Sequence, residues 1–339
     1  MKRFLCVLLF LCFLSLSASA EGFRYSSTSV AANDFSNSRY DVFNQSGTLG
    51  CLIPGLAEGL VPQGVGYLSE QDWLLVAGYR NDKDSSALIA VERESGAIRK
   101  EVFLQYQDGS LYAGHAGGVC VTGKNIFIAN ASHLYRISLD KFLSLPESGK
   151  CAFDEEIPVP VNASYCACAE GVLWVGEFQY GSDYQTDRSH RAKTADGTMK
   201  AWTCGYRLRD DTENELAPYG TVAVPDVLLE MTERIQGVTV LNGEIYLSQS
   251  YGRNNFSVLY KYAPISDRPA DSEGTVDGMQ IPLWFLDKNT QTDILICPPM
   301  TECLCTVGDD VYVLFESGAE SYRGNGACPC DRFFVLSGF

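Results

Sequence analysis

Short apolar runs alternating with polar residues recur along the chain at intervals of roughly 50 to 70 residues, each closing in a tight polar turn. Five segments share one plan: a small residue opens an alternating run, a turn follows, and a second β-rich run returns. They are Gln63-Gly64-Val65-Gly66-Tyr67 with Trp73-Leu74-Leu75-Val76-Ala77; Gly117-Gly118-Val119-Cys120-Val121 with Ile126-Phe127-Ile128-Ala129; Tyr165-Cys166-Ala167-Cys168-Ala169 with Leu173-Trp174-Val175-Gly176; Gln236-Gly237-Val238-Thr239-Val240 with Ile245-Tyr246-Leu247-Ser248; and Glu302-Cys303-Leu304-Cys305-Thr306 with Val311-Tyr312-Val313-Leu314. Turns such as Thr122-Gly123-Lys124-Asn125 and Leu241-Asn242-Gly243-Glu244 have hairpin chemistry.

Two further strand-like runs follow each of the first four pairs: 87–91 and 98–104, 134–137 and 157–161, 201–208 and 221–224, 258–262 and 281–286. The fifth pair is followed by 333–336 alone, and the orphan run 48–53 before the first pair can supply the missing strand. Four strands per unit, with the last unit closed by the N-terminal strand, predict an all-β fold, a β-propeller of five four-stranded blades. Six blades are the alternative count, and a solenoid is the rival architecture. Helical patterning is confined to 139–145 and 227–235. The blades occupy 46–339 as one propeller domain, preceded by a partly irregular segment, 21–45.

The start of the chain is a different signal. Met1-Lys2-Arg3, an almost unbroken apolar run at 4–16 and the small residues Ala18-Ser19-Ala20 read as a secretory signal peptide over 1–20. The run is shorter than the roughly 20 residues a spanning helix needs, and no later segment qualifies, so no membrane span is expected. Secretion is the expected localisation. Removing the leader leaves 11 of the 13 cysteines, an odd number that cannot all pair within one chain. The three Cys-x-Cys pairs, 166/168, 303/305 and 328/330, depart from the Cys-x2-4-Cys spacing of structural zinc. On strands they place both thiols on one face, as small buried groups. In the repeat alignment Cys166 and Cys303 fall where Gly64, Gly118 and Gly237 stand, with Cys120, Cys168 and Cys305 at the next same-face position. Cys328-Pro329-Cys330 sits in a Gly-rich loop, where a disulfide to a distant partner such as Cys51 is plausible.

With 46% hydrophobic and 20% charged residues the composition is that of a globular protein able to bury a core. The formal net charge of −16 repels phosphate backbones, which argues against nucleic acid as a partner. A monomer binding a small molecule is expected.

The pattern resembles the broad class of secreted β-propellers that includes the gluconolactonase and regucalcin family, strictosidine synthase-like proteins, and the YVTN and NHL repeat propellers. Pro62-Gln63-Gly64-Val65 and Met300-Thr301-Glu302-Cys303 are similar to that class's openings of innermost strands. In the gluconolactonase group such a Glu binds a divalent metal. The resemblance therefore implies Glu302, and no other position, as a metal ligand; His115 is a further metal candidate from its place at the channel mouth, and calcium or a similar divalent ion is the possible cofactor. Cysteine follows Glu302 where the family has glycine.

In a propeller the second-to-third-strand loops open on one face around the central channel. Here they share a composition: Tyr79-Arg80-Asn81-Asp82, Tyr251-Gly252-Arg253-Asn254, Tyr322-Arg323-Gly324-Asn325, and the long loop 178–200 with Tyr180, Tyr184, Arg188, His190 and Arg191. Tyrosine offers a flat apolar body with a polar tip, arginine a forked donor, and asparagine both donor and acceptor. Such loops suit a small polar or anionic, carbohydrate-like ligand. Equally, Asn and Gly build turns, Tyr caps blades and Arg pairs with neighbouring acids, so composition leaves both readings open.

A second constellation is expected at the channel mouth, at the starts of the innermost strands: Gln63, His115, Tyr165, Gln236 and Glu302, with Arg234 close by. It can hold a metal or ligand, or line a solvent-filled channel. Glu177 and Glu316, both just after second strands, are an acid–base pair if they stand close enough. The chain carries no G-x-S-x-G elbow, H-E-x-x-H, Walker loop or G-x-G-x-x-G. Three function classes remain: a ligand-binding propeller, a metal-dependent lactonase- or hydrolase-like enzyme, and a protein-interaction scaffold.

Overall fold

In a computed structural model, which describes residues 22–337 and 339, the five repeated segments become five antiparallel sheets arranged as a five-bladed propeller. The expected leader lies outside the described residues. From the axis outwards, blade 1 is Leu60–Leu68, Trp73–Arg80, Ala87–Glu92 and Ile98–Gln105, and blade 2 is Gly118–Val121, Asn125–Asn130, His133–Ser138 and Glu155–Pro158. Blade 3 is Ala163–Ala169, Val172–Glu177, Ala201–Arg207 and Val227–Met231. Blade 4 is Ile235–Leu241, Glu244–Gln249, Ser257–Tyr262 and Gln291–Cys297. Blade 5 combines Thr301–Val307, Asp310–Phe315 and Arg332–Leu336 with the N-terminal strand Gly47–Leu52, which pairs antiparallel from Gly47↔Leu336 to Leu52↔Arg332. The ring is thus closed by the two ends of the chain.

Three expectations are corrected. Residues 227–235 are not helical: Val227–Met231 is the outer strand of blade 3, buried at all five positions. A strand covered on both faces loses its alternation and imitates a buried helix turn. It takes the place expected for 221–224, which lies in a connection. The run 281–286 does not complete blade 4. Its strand Met279–Phe285 forms a hairpin with Ser272–Val276 and pairs in parallel with blade 3, Leu228↔Leu283 and Glu230↔Phe285. Blade 2 behaves alike, lending Ser148–Ala152 in parallel to Ile98–Gln105 of blade 1. In both cases the connection between a blade's third and fourth strands covers the outer edge of the preceding blade, removing an open edge and tying two neighbours together. The helix expected at 139–145 forms as Leu139–Ser144, capped by the Ser138 side chain accepting from the Lys141 amide.

The segment before the closing strand is irregular to Asn37 but held throughout. The amides of Arg24 and Tyr25 donate to Glu101, and Ser26 donates to Glu58. Asp331, wholly buried, accepts from Ser29 Oγ, the Val30 and Ala31 amides and Asn33 Nδ2 at 2.6–2.9 Å. Phe43 stacks on Phe334 with ring centroids 3.8 Å apart.

The eleven cysteines among the described residues are free thiols, ten of them buried. The suggested bridge from Cys51 to the 328/330 pair is absent: Cys328 Sγ donates to the Asp34 carbonyl at 3.0 Å and Cys330 Sγ to the Arg332 carbonyl at 3.2 Å. Burial pushes the thiols of Cys51 and Cys151 up to about 11 and those of Cys168 and Cys303 up to about 12, which suppresses thiolate.

Two outcomes follow. Intact-mass alkylation of the denatured mature protein should add eleven labels with or without reductant; fewer labels without reductant would show disulfides. Asp331→Ala should cost about 3 kcal/mol in chemical denaturation at neutral pH, because several donors lose one charged acceptor. Burial raises the Asp331 pKa, but the bonds from Asn33, Ala31, Val30 and Ser29 outweigh it and hold it below the usual value. Its contribution should therefore be present above the ordinary aspartate range and vanish as pH falls through the lowered folded-state pKa.

Candidate functional site

The innermost strands meet so closely that in blades 1, 2 and 4 a side chain is excluded at one level of the ring. A Cβ on Gly64 would stand 2.4 Å from the Val119 nitrogen, one on Gly118 2.2 Å from the Cys166 nitrogen, and one on Gly237 2.8 Å from the Cys303 Cα. Around this level the pairing gains one extra residue in four blades: it skips one between Pro62 and Gly64, Ala163 and Tyr165, and Ile235 and Gly237, and in blade 5 Glu302 and Cys303, between Thr301 and Leu304, face Leu314 alone. Each skip is a β-bulge, which bends the strand and re-aims the extra side chain. The bulges release Gln63, Ser164, Gln236 and Glu302. Ala116, Arg234 and Met300, just upstream in blades 2, 4 and 5, take left-handed φ values of 51°, 65° and 66°.

Blade 3 is thereby shifted one residue from the alignment read off the sequence. Tyr165, not Cys166, occupies the level of Gly64, Gly118 and Gly237, and it is buried rather than at the channel mouth. Its ring lies over Gly176, where a Cβ would stand 2.1 Å from its hydroxyl, and that hydroxyl meets Thr203 Oγ1 at 2.8 Å. Cys166 instead packs between blades as Val65, Val119, Val238 and Leu304 do. Ser164, absent from the expected channel-mouth set, is the bulged residue of blade 3, and Gly176, facing Tyr165 across the hairpin, is its signal in the sequence. In blade 5 the small position is Cys303, whose thiol reaches across the axis to the Cys166 carbonyl at 3.5 Å.

Above this level lies a cavity of 520 Å³. Gln63, Gln236 and Glu316 line its base, with Glu302 buried beneath. Gln63 Nε2 donates to Glu316 Oε2 at 2.9 Å, Gln236 Nε2 donates to Glu302 Oε1 at 3.2 Å, and the two carboxyls share a hydrogen bond. Burial, then the charge of Glu316, raises the Glu302 pKa well above the carboxyl range. Burial also raises that of Glu316, while bonds from Glu302 and Gln63 and the nearby Arg253 oppose the rise. The two acids therefore hold a proton between them more firmly than isolated carboxyls do, with the larger rise at Glu302.

The walls are aromatic. Tyr79, Tyr251 and Tyr322 line the cavity with His115, Phe178 and Tyr184. Tyr79 and Tyr322 hydroxyls meet at 3.1 Å, the His115 ring lies 4.7 Å from that of Tyr79, and Tyr180 backs Tyr251 at 4.0 Å. Desolvation lowers the His115 pKa, keeping the imidazole neutral. Arg253 also lines the cavity; its guanidinium lies 4.9 Å from the Tyr322 ring centre and donates to Asn325 Oδ1 at 2.8 Å.

Other candidates lie elsewhere. Arg80 pairs with Asp82 and donates to the Glu58 carbonyl, Asn81 donates to Ser321, and Arg323 is spent on the Leu56 and Gly318 carbonyls. Asn254 is exposed and does not line the cavity. Arg234 pairs with Glu233 at 3.3 Å. Glu177 does not meet Glu316. It is buried against His190 Nδ1 at 2.8 Å and accepts from the Trp202 amide at 2.9 Å, while Trp202 Nε1 donates to Glu230, whose pKa burial raises to about 8. The partner of Glu316 is Glu302. Of the two metal candidates, Glu302 is bonded to carboxyl and amide groups, and the His115 ring packs at a tilt against Tyr79. Among the described residues no group of three or more His, Cys, Asp or Glu is spaced to hold a metal ion.

No protein-family model and no curated protein sequence matches the chain. Solved propellers are similar in fold. They include a GH43_1 enzyme from Xanthomonas citri complexed with xylose, 11% identical with a TM-score of 0.46 over 88% of this chain and 92% of that one. The Myxococcus xanthus glutaminyl cyclase is 11% identical with a TM-score of 0.42, over 82% and 90%. A luciferin-regenerating enzyme is 11% identical with a TM-score of 0.39, over 82% and 92%. The likeness is one of fold and assigns no family or chemistry.

A proton held in the buried pair stabilises the fold below the ordinary carboxyl pKa, and that contribution is lost as pH rises through the raised folded-state values. Glu302→Gln should flatten this loss: between pH 5 and pH 8 the wild type should lose more than about 1 kcal/mol relative to the variant in urea denaturation. Parallel profiles would place no shared proton there.

Proposed function

We propose that the channel-mouth cavity binds a small polar, carbohydrate-like ligand. The supporting observation is the combination of aromatic walls with a base of amide and carboxyl groups in a cavity of 520 Å³. Flat tyrosine faces stack on the apolar faces of sugar rings, and the fork-shaped amides of Gln63 and Gln236 with the acceptor Glu316 suit hydroxyl groups. Arginines support an anionic ligand less than the loop composition suggests, because Arg80 and Arg323 are bonded within the protein and Arg253 alone lines the cavity. The leader expected at 1–20 makes the extracellular space the proposed place of action.

The carboxyl pair supports a second reading, a hydrolase-like enzyme in which Glu302 supplies the proton and Glu316 the base. A divalent cation such as calcium would be held by the oxygens of Glu316 and Glu302 in place of the proton they share, so a metal-dependent hydrolase is an alternative to the acid–base form of this reading. Loss of product formation in Glu316→Gln with retained binding would favour it. A protein-interaction scaffold is supported only if a macromolecule binds and small molecules do not.

The binding reading is tested by thermal shift with hexoses, disaccharides and uronates. A ligand should raise the melting temperature of the wild type by about 3 °C or more. The combined Tyr251→Ala and Arg253→Ala variant should lose that rise with its unliganded melting temperature unchanged. A fall in the unliganded value with the ligand response intact would show that these side chains serve the fold.

A further inference from the structure

Resting on that binding reading, we infer that the ligand carries a protonated amine, as an amino sugar does, seated against Glu316 at the base of the cavity. Three observations converge on this class. First, among the described residues no cation is bonded to the carboxyl pair of buried Glu302 and half-buried Glu316. Its hydrogen-bond donors are the neutral amides of Gln63 and Gln236 and the proton the two acids share. Arg253 is the positive group near Glu316, and its guanidinium is engaged with the Tyr322 ring and Asn325. His115, the other basic group on the wall, is held neutral. A buried carboxylate without a cation is costly, and an ammonium supplies charge and three donors at once.

Second, the walls around that acid carry aromatic rings. Tyr79, Tyr251 and Tyr322 line the cavity together with Phe178. Aromatic faces attract an ammonium or the polarised C–H groups beside it, most strongly where water is excluded. Third, the body of the protein is acidic, with a formal net charge of −16, so its field draws cations rather than anions towards the opening. A uronate would meet Glu316 with like charge, and a neutral sugar would leave the shared proton as the only neutralising device.

The test compares sugars of one skeleton that differ at one substituent. Glucosamine, glucose and N-acetylglucosamine, each also as its β-1,4-linked tetramer, are titrated calorimetrically into the mature protein at neutral pH. The amine form should bind at least about tenfold more tightly than the other two. That preference should disappear in Glu316→Gln and persist in Asn254→Ala, outside the cavity, with both variants checked for an unchanged melting temperature. Equal or weaker binding of the amine overturns the inference and leaves the binding reading standing. If sugars of no kind bind, the reading falls and the inference with it.

Discussion

The structure turns on how closely five innermost strands can approach around one axis. At the level of Gly64, Gly118 and Gly237 the neighbouring backbones leave no room for a Cβ, and the cost of any larger group there would be paid in backbone displacement. Strands that converge so tightly cannot run on regularly. In four blades the pairing gains one extra residue around that level, and the bulged residues are Gln63, Ser164, Gln236 and Glu302. Below that level the Cys303 thiol crosses to the Cys166 carbonyl and occupies the axis. The polar groups above are thereby gathered at the base of a cavity.

That placement decides the electrostatics. Glu302 is forced into burial beside Glu316, and two acids so placed lower their energy by sharing a proton. The aromatic walls are built from loops with independent anchors. The blade 3 loop that carries Phe178, Tyr180 and Tyr184 is fixed by His190, which bonds to Glu177 and stacks on Trp202 with centroids 4.0 Å apart. Blade 5 contributes Tyr322, bonded to Tyr79 of blade 1. The two blades joined by the closing of the ring thus share one wall of the site.

The repeat is legible because an inner and a second apolar run flank a tight polar turn in each unit, as Val119-Cys120-Val121 and Ile126-Phe127-Ile128 flank Thr122-Gly123-Lys124-Asn125. The closing strand was legible because the fifth unit was one strand short. Outer strands were not, since Val227–Met231 is buried on both faces and Met279–Phe285 belongs to a neighbour's sheet, a relation no local pattern encodes. Within the site, Gln63, Gln236, Tyr79, Tyr251, Arg253 and Tyr322 follow from strand starts and loop composition, and the cavity gathers them with His115. The pairing of Glu302 with Glu316 was hidden, because it joins a bulge to the end of the next strand across a register break. Arg80 and Arg323 misled for a related reason: the carbonyls and the carboxylate that occupy them are tertiary or loop partners.

The central claim is that Glu302 remains a protonated acid at neutral pH because the inner ring buries it against Glu316. Infrared difference spectroscopy on protein carrying isotope-labelled glutamate measures this directly. The account predicts a glutamic acid carbonyl band at pH 7 that shifts in deuterium oxide and is lost in Glu302→Gln. A wild-type spectrum unchanged by that substitution, with all glutamate intensity in carboxylate bands, would contradict it.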